Sequence, residues 1–192
     1  PITIEQKINI DDNCNYTQPF WLAGEHDGNH FTVTNINKVT DADNKPEIIS
    51  TFTINIDRIN LSYEIPTYYK WTDAVKGELK RPVIIIPKLS LSVDKENYIF
   101  VNGKKHQIKV TLETKVDSAE GKLFVDLPQG WNVDIDNYNF DLSEKGDRKE
   151  FIFTISPEQN ARTLEVKFWA VIDGKTFNDE IVQIDYPHIK HQ

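Results

Sequence analysis

Hydrophobic and polar residues alternate along most of this chain, and the period is two. In the first half Ile2, Ile4, Ile8 and Ile10 share one phase, Phe31 and Val33 another, and Phe52, Ile54 and Ile56 a third. The phase slips at Asp57-Arg58 and resumes with Ile59, Leu61, Tyr63 and Ile65, which predicts a bulge or tight turn. The second half repeats the pattern through Leu89, Leu91 and Val93, then Ile108, Val110 and Leu112, then Leu123, Val125 and Leu127. Trp131, Val133 and Ile135 follow, then Tyr138, Phe140 and Leu142, then Phe151, Phe153 and Ile155, and lastly Leu164, Val166, Phe168 and Ala170. Successive side chains of a strand point to opposite faces, so each run predicts a strand with one buried and one wet face.

Turn signals separate the runs at Asn102-Gly103, Glu120-Gly121, Gln129-Gly130, Lys145-Gly146 and Asp173-Gly174. No segment holds a helical period for long, and Asp73-Ala74-Val75-Lys76 could form one helical turn at most. The longest aliphatic run, Val83-Ile84-Ile85-Ile86, reads as a strand and falls far short of the roughly 20 apolar residues of a membrane helix. The expectation is an all-β chain of two tandem immunoglobulin-like antiparallel β-sandwiches, residues 1–87 and 88–192, each near the usual size for that fold. An internal echo supports the repeat. Tyr69-Lys70-Trp71, Gly77 and Val83–Pro87 in the first half match Lys167-Phe168-Trp169, Gly174 and Val182–Pro187 in the second.

Charge narrows the range of partners. With 30 acidic and 22 basic residues among 192, the formal net charge is −8. A surface of that sign repels phosphate backbones, so nucleic acid is not an expected partner, and no apolar run predicts membrane insertion. The single cysteine, Cys14, excludes an internal disulfide and reads as a free thiol. There is no methionine, no signal peptide, and Pro1 runs directly into a strand pattern, as expected of a segment from a larger or processed protein.

Chemistry-bearing motifs are scarce. No Gly-x-Ser-x-Gly elbow, phosphate-binding glycine loop or His-Glu-x-x-His pair occurs. His26 and His30 are four residues apart, but Gly24 and Gly28 argue against a helix that would align them, and His106, His188 and His191 stand apart. Asp11-Asp12-Asn13, Asp41-Ala42-Asp43-Asn44 and Asp134-Ile135-Asp136-Asn137 could offer oxygens to calcium, yet none has the glycine and distal glutamate of an EF-hand loop. Turn formation is the plainer account. In the third loop Ile135 shares the inward phase, which would leave both aspartates facing water. Nothing singles out a pair of carboxylates for glycoside hydrolysis. The expectation is a chain that is not an enzyme by itself, with no cofactor, metal or catalytic residue.

Aromatic residues are the stronger signal. Phe20, Trp21, Tyr68, Tyr69, Trp71 and Trp169 are candidates for a ligand platform or a domain interface, because flat rings carry large contact areas at little entropic cost. Trp131 shares its phase with Val133 and belongs to the core, whereas Trp169 is out of phase with Phe168 and should reach the surface.

Thr17-Gln18-Pro19-Phe20-Trp21-Leu22, Tyr69-Lys70-Trp71-Thr72-Asp73 with Gly77-Glu78 and Arg81-Pro82, and the closing Tyr186-Pro187-His188-Ile189 together carry a resemblance. The set resembles the region after the catalytic domain in multidomain PIG-L/LmbE family deacetylases of Bacteroidetes-type bacteria. Leu127-Pro128-Gln129-Gly130-Trp131 is similar to a turn of the immunoglobulin-like domains that accompany bacterial glycosidases and carbohydrate-binding modules. The family's zinc-binding His-Pro-Asp-Asp motif is missing, for Asp11-Asp12 has no His-Pro before it, so no catalytic residue carries over. The resemblance implies a non-catalytic accessory segment of a larger, exported zinc-dependent N-deacetylase, periplasmic or secreted, whose partners are other domains of the same polypeptide. The alternative is a carbohydrate-binding module that uses exposed aromatics.

Overall fold

The computed structural model describes residues 5, 7–11, 14–24, 30–33, 36–41, 44–101, 103–157, 165–184 and 186. Ile2, Ile4, Asp12, Asn13, His26, Gly28, Ala42, Asp43, Asn102, Leu164, Pro187, His188, Ile189 and His191, all used above, lie outside them. The described residues are all-β apart from one short 3-10 turn at Ile36–Lys38. The chain divides into two compact units, Pro1–Ile86 and Pro87–Gln192.

In the first unit, two hairpins form two separate two-stranded sheets. Strand β1 (Ile49–Ile56) pairs antiparallel with β2 (Ile59–Pro66), and β3 (Tyr68–Asp73) pairs with β4 (Gly77–Pro82). The phase slip at Asp57-Arg58 is a two-residue turn: both residues have positive φ, 49° and 71°, and Ile56 faces Ile59 across it. That is the pattern of a type I′ turn, whose twist matches that of the flanking strands. The turn at the end of β3 is an Asx turn and not helical, with the Asp73 carboxylate accepting the N–H groups of Val75 and Lys76, each at 2.8 Å. Residues 83–87 lie outside any regular strand, contrary to the sequence expectation. Instead, Ile85 exchanges bonds with Thr17. The Thr17 N–H donates to the Ile85 carbonyl, and the Ile85 N–H donates to Thr17 Oγ1, both at 2.8 Å. Phe31 and Val33 make no strand beyond an isolated bridge at Phe31.

The second unit is a two-layered β-sandwich. One sheet has the order β5 (Leu89–Val93), β6 (His106–Thr114), β10 (Arg148–Ser156), β8 (Asn132–Val133). The other has the order β12 (Lys175–Phe177), β11 (Lys167–Ile172), β7 (Ala119–Asp126), β9 (Asn137–Leu142). Every pairing is antiparallel. The chain changes sheet at every step from β6 through to β11, so neighbours in space are seldom neighbours in sequence.

The inward phases seen in the sequence make the core. Leu89, Val110, Leu112, Leu123, Phe153, Ile155 and Ala170 are fully buried, and all core hydrophobics among the described residues belong to this unit. The two sheets meet through rings, with Phe153 of β10 lying 5.3 Å from Phe168 of β11 and 5.1 Å from Tyr138 of β9. Tyr138 keeps its hydroxyl satisfied by donating to the Ile152 carbonyl at 2.6 Å. The buried Thr114 hydroxyl donates to the Val116 carbonyl at 3.0 Å.

Three local expectations are corrected here. Gly121 is not in a turn but in the middle of β7, opposite Phe140. Ile135 does not face inward: it is 42% exposed, and β8 ends at Val133. Consequently Asp134 does not simply face water, for its carboxylate accepts the N–H groups of Ile135 and Thr154, each at 2.9 Å. Residues 182–184 form no closing strand. The preceding segment instead lies along β5, where the Leu91 N–H donates to the Asp179 carbonyl and the Ile181 N–H donates to Ser90 Oγ, both at 2.9 Å.

Candidate binding surfaces

Alternation in β1 and β2 places Phe52, Ile54 and Ile56 on the same face as Ile59, Leu61, Tyr63 and Ile65, because Phe52 pairs with Tyr63, Ile54 with Leu61 and Ile56 with Ile59. Apart from the Ile49–Pro66 pair at its open end, the opposite face is polar and internally bonded: Thr53 and Ser62 hydroxyls meet at 3.0 Å, and Asn55 Nδ2 donates to Asn60 Oδ1 at 2.7 Å. The hairpin is therefore strongly amphipathic. Yet all seven apolar side chains are exposed, from 39% at Leu61 to 63% at Ile59. An isolated two-stranded hairpin is marginal in water, and a contiguous apolar face of this kind marks an interaction surface.

The aromatic candidates of the first unit occupy two places. Phe20 and Trp21 sit half-buried in a turn closed by the Leu22 N–H on the Pro19 carbonyl, with ring centroids 4.9 Å apart and edge to face. Asn44 clamps this turn, accepting from the Phe20 N–H at 3.1 Å and donating to the Gln18 carbonyl at 2.5 Å. On β3, Tyr69 and Trp71 share one face and stack at 5.6 Å, with the Arg81 guanidinium 5.4 Å from the Tyr69 ring. Tyr68 lies on the other face under the Lys80 ammonium, beside the 2.8 Å Lys70–Glu78 ion pair. The hydrogen bond and charge of Lys70 hold the Glu78 carboxyl below its ordinary value.

In the second unit Trp131 packs against the core and meets Phe100 edge to face at 4.8 Å, as its phase predicts. Its turn is legible too: the Trp131 N–H donates to the Pro128 carbonyl at 3.1 Å, and Gly130 at φ 89° takes the position that demands glycine. Trp169 points the other way, onto the outer face of its sheet, and stacks on Phe124 across the β11–β7 pairing at 5.6 Å with planes only 16° apart. Asn137 lies beside Phe124 in the register, and Lys122, Asp126, Asn139 and Lys167 surround the two rings. Sequence reasoning missed Phe124. The signal was present, since Phe124 falls in the polar phase between the inward Leu123 and Val125.

No group of three or more potential metal ligands occurs among the described residues. Asp94 accepts from the Tyr98 hydroxyl and from the Lys109 N–H. The tyrosine bond holds the Asp94 carboxyl low, while desolvation and the neighbouring carboxylate push the Tyr98 hydroxyl up. His106 is half-buried, its ring 4.8 Å from that of Phe100. A shallow, open depression of about 290 Å³ lies beside Lys88, Val116, Asp117 and Asp173. No family model matches the chain, and no curated protein matches it.

Proposed function

We propose that this chain is a non-catalytic accessory segment, in which an immunoglobulin-like sandwich accompanies a hairpin unit that is completed by another part of a larger polypeptide. The observation that carries the reading is the set of seven apolar side chains on one face of β1–β2, left exposed by a hairpin whose other face is polar except for the Ile49–Pro66 pair at its open end. Seven large apolar side chains in water are a standing cost, at about 25 cal/mol per Å² of apolar area that could be buried. A segment that docks on a neighbouring domain recovers that energy; a free-standing binding module gains nothing from it. The sandwich, by contrast, carries its own core and acts as a rigid support.

The larger polypeptide proposed is a PIG-L/LmbE-type zinc-dependent N-deacetylase, exported from the cell, on the strength of the resemblance in residues 17–22, 69–82 and 186–189. The test is an N-deacetylase assay on N-acetyl amino sugars, with and without added zinc, using this chain and the complete natural polypeptide. Zinc-dependent turnover in the complete polypeptide alone is the expected result. Turnover by the 192-residue chain itself would overturn the proposal.

A further inference from the structure

Strands β2 and β3 run on from one another as residues 59–73, with only Thr67 between them. The Thr67 N–H donates to the Ile48 carbonyl at 2.9 Å and so continues the β1–β2 ladder. The Thr67 carbonyl accepts from the Val83 N–H at 3.4 Å and continues the β3–β4 ladder. Antiparallel partners exchange bonds at every second pair. Counted outward from Thr67, the bonded residues are Ile59, Leu61, Tyr63 and Ile65 towards β1, and Tyr69, Trp71 and Asp73 towards β4. β1 and β4 therefore lie end to end along the same edge of residues 59–73.

The opposite edge belongs to the even-numbered residues from Asn60 to Thr72. Among the described residues no backbone hydrogen bond reaches it. Pro66, which has no N–H to donate, falls on this edge, where a strand tolerates proline. A long unpaired edge is a template for a further strand.

We propose that a second copy of this chain pairs antiparallel along this edge, about a two-fold axis through Thr67. In that register Glu64 of each copy lies directly opposite Lys70 of the other, Tyr63 opposite Trp71, and Ile65 opposite Tyr69. The charges meet on the polar face. Within one copy no hydrogen bond or ion pair engages the Glu64 carboxylate among the described residues, whereas Lys70 faces Lys80 across β3–β4 and bonds Glu78. A second carboxylate beside that pair of lysines completes the balance of charge. On the other face the rings and aliphatic side chains meet at non-hydrogen-bonded pairs, where opposing side chains come closest.

Sliding one copy by a single bonded pair in either direction separates Glu64 from Lys70. Larger slides set Glu64 against Glu64 or Lys70 against Lys70. The backbone would accept many strands; a second copy is selected because its own side chains complete this register twice over, as an isologous two-fold contact requires. Pro66 forgoes the bonds in which it would be the donor, and the contact is small, so the association is weak and reversible. It uses an edge and leaves the apolar face of β1–β2 open, so it does not depend on the docking of that face.

The test is sedimentation velocity on the full 192-residue chain at low ionic strength, from micromolar to millimolar concentration. The natural sequence is compared with Glu64→Lys and Lys70→Glu, both at exposed positions. The natural chain should dimerise reversibly in the high-micromolar range. Each variant alone sets like charges opposite one another at both contacts and should dimerise about tenfold more weakly or worse. An equimolar mixture of the two variants restores opposite charges at both contacts and should dimerise nearly as well as the natural chain. A natural chain that stays monomeric to millimolar concentration overturns the proposal. So does a dimer that both variants form unchanged, which would use another surface, and so does a mixture that associates no better than its components.

Discussion

An ideal Cβ on Gly121 would lie 2.1 Å from the Val171 carbonyl oxygen on the adjacent strand and 3.0 Å from the Phe140 ring. The residue is in β7, in phase with the buried Ala119 and Leu123, where the backbone of β11 comes too near for any side chain. Gly121→Ala must therefore push apart the two strands that carry Trp169 and Phe124. Chemical denaturation should show a loss of about 1–3 kcal/mol, the usual cost of overpacking. Wild-type stability in that variant would show that the strands do not approach so closely.

The β1–β2 turn is a second sensitive point. Asp57 and Arg58 both adopt left-handed backbone angles, which cost L-residues about 1 kcal/mol or more each unless the side chain compensates. Asn-Gly is the preferred pair at a type I′ turn. Asp57→Asn with Arg58→Gly should slow hydrogen exchange across residues 49–66, because the hairpin closes more readily. Faster exchange would mean that the turn has another geometry.

Acid should weaken the sandwich through Asp94 and Asp134. The Tyr98 hydroxyl and the Lys109 N–H hold Asp94 below the ordinary value of 3.8. Desolvation raises Asp134, but the hydrogen bonds from Thr154 and Ile135 outweigh it and leave that carboxyl below 3.8 as well. Both groups are more acidic folded than unfolded, so the stability they contribute is complete above about pH 5 and is lost as pH falls through the folded values. Asp94→Asn and Asp134→Asn should each reduce the stability lost between neutral pH and about pH 3. Denaturant unfolding at the two pH values measures this, and an unchanged loss in both variants would remove these carboxylates from the acid response.

The core of the sandwich could be read from alternation alone, since Leu89, Val110, Leu112, Leu123, Phe153 and Ala170 are all in the phases that the sequence marks as inward. Burial on one face imposes that period directly. The alternation of residues 52–65 is just as clear, yet it marks one face of a hairpin and says nothing of what covers that face. Glycine has two uses in a sheet, bending the chain and admitting a neighbour, and at Gly121 only the position of Val171 separates them. The outward aromatic Trp169 was recognisable from its phase, but its partner Phe124 was not singled out. A cross-strand pair depends on a register between residues 45 apart in sequence, counted from Phe124 to Trp169.

The most direct measurement of the central claim is hydrogen exchange of the β1–β2 amides, Ile49–Pro66, in the isolated chain and in the complete natural polypeptide. An uncovered two-stranded hairpin exchanges fast, whereas one docked through its apolar face exchanges slowly. The account predicts rapid exchange in the isolated chain and strong protection in the complete polypeptide. Rapid exchange in both, or strong protection already in the isolated chain, would contradict it.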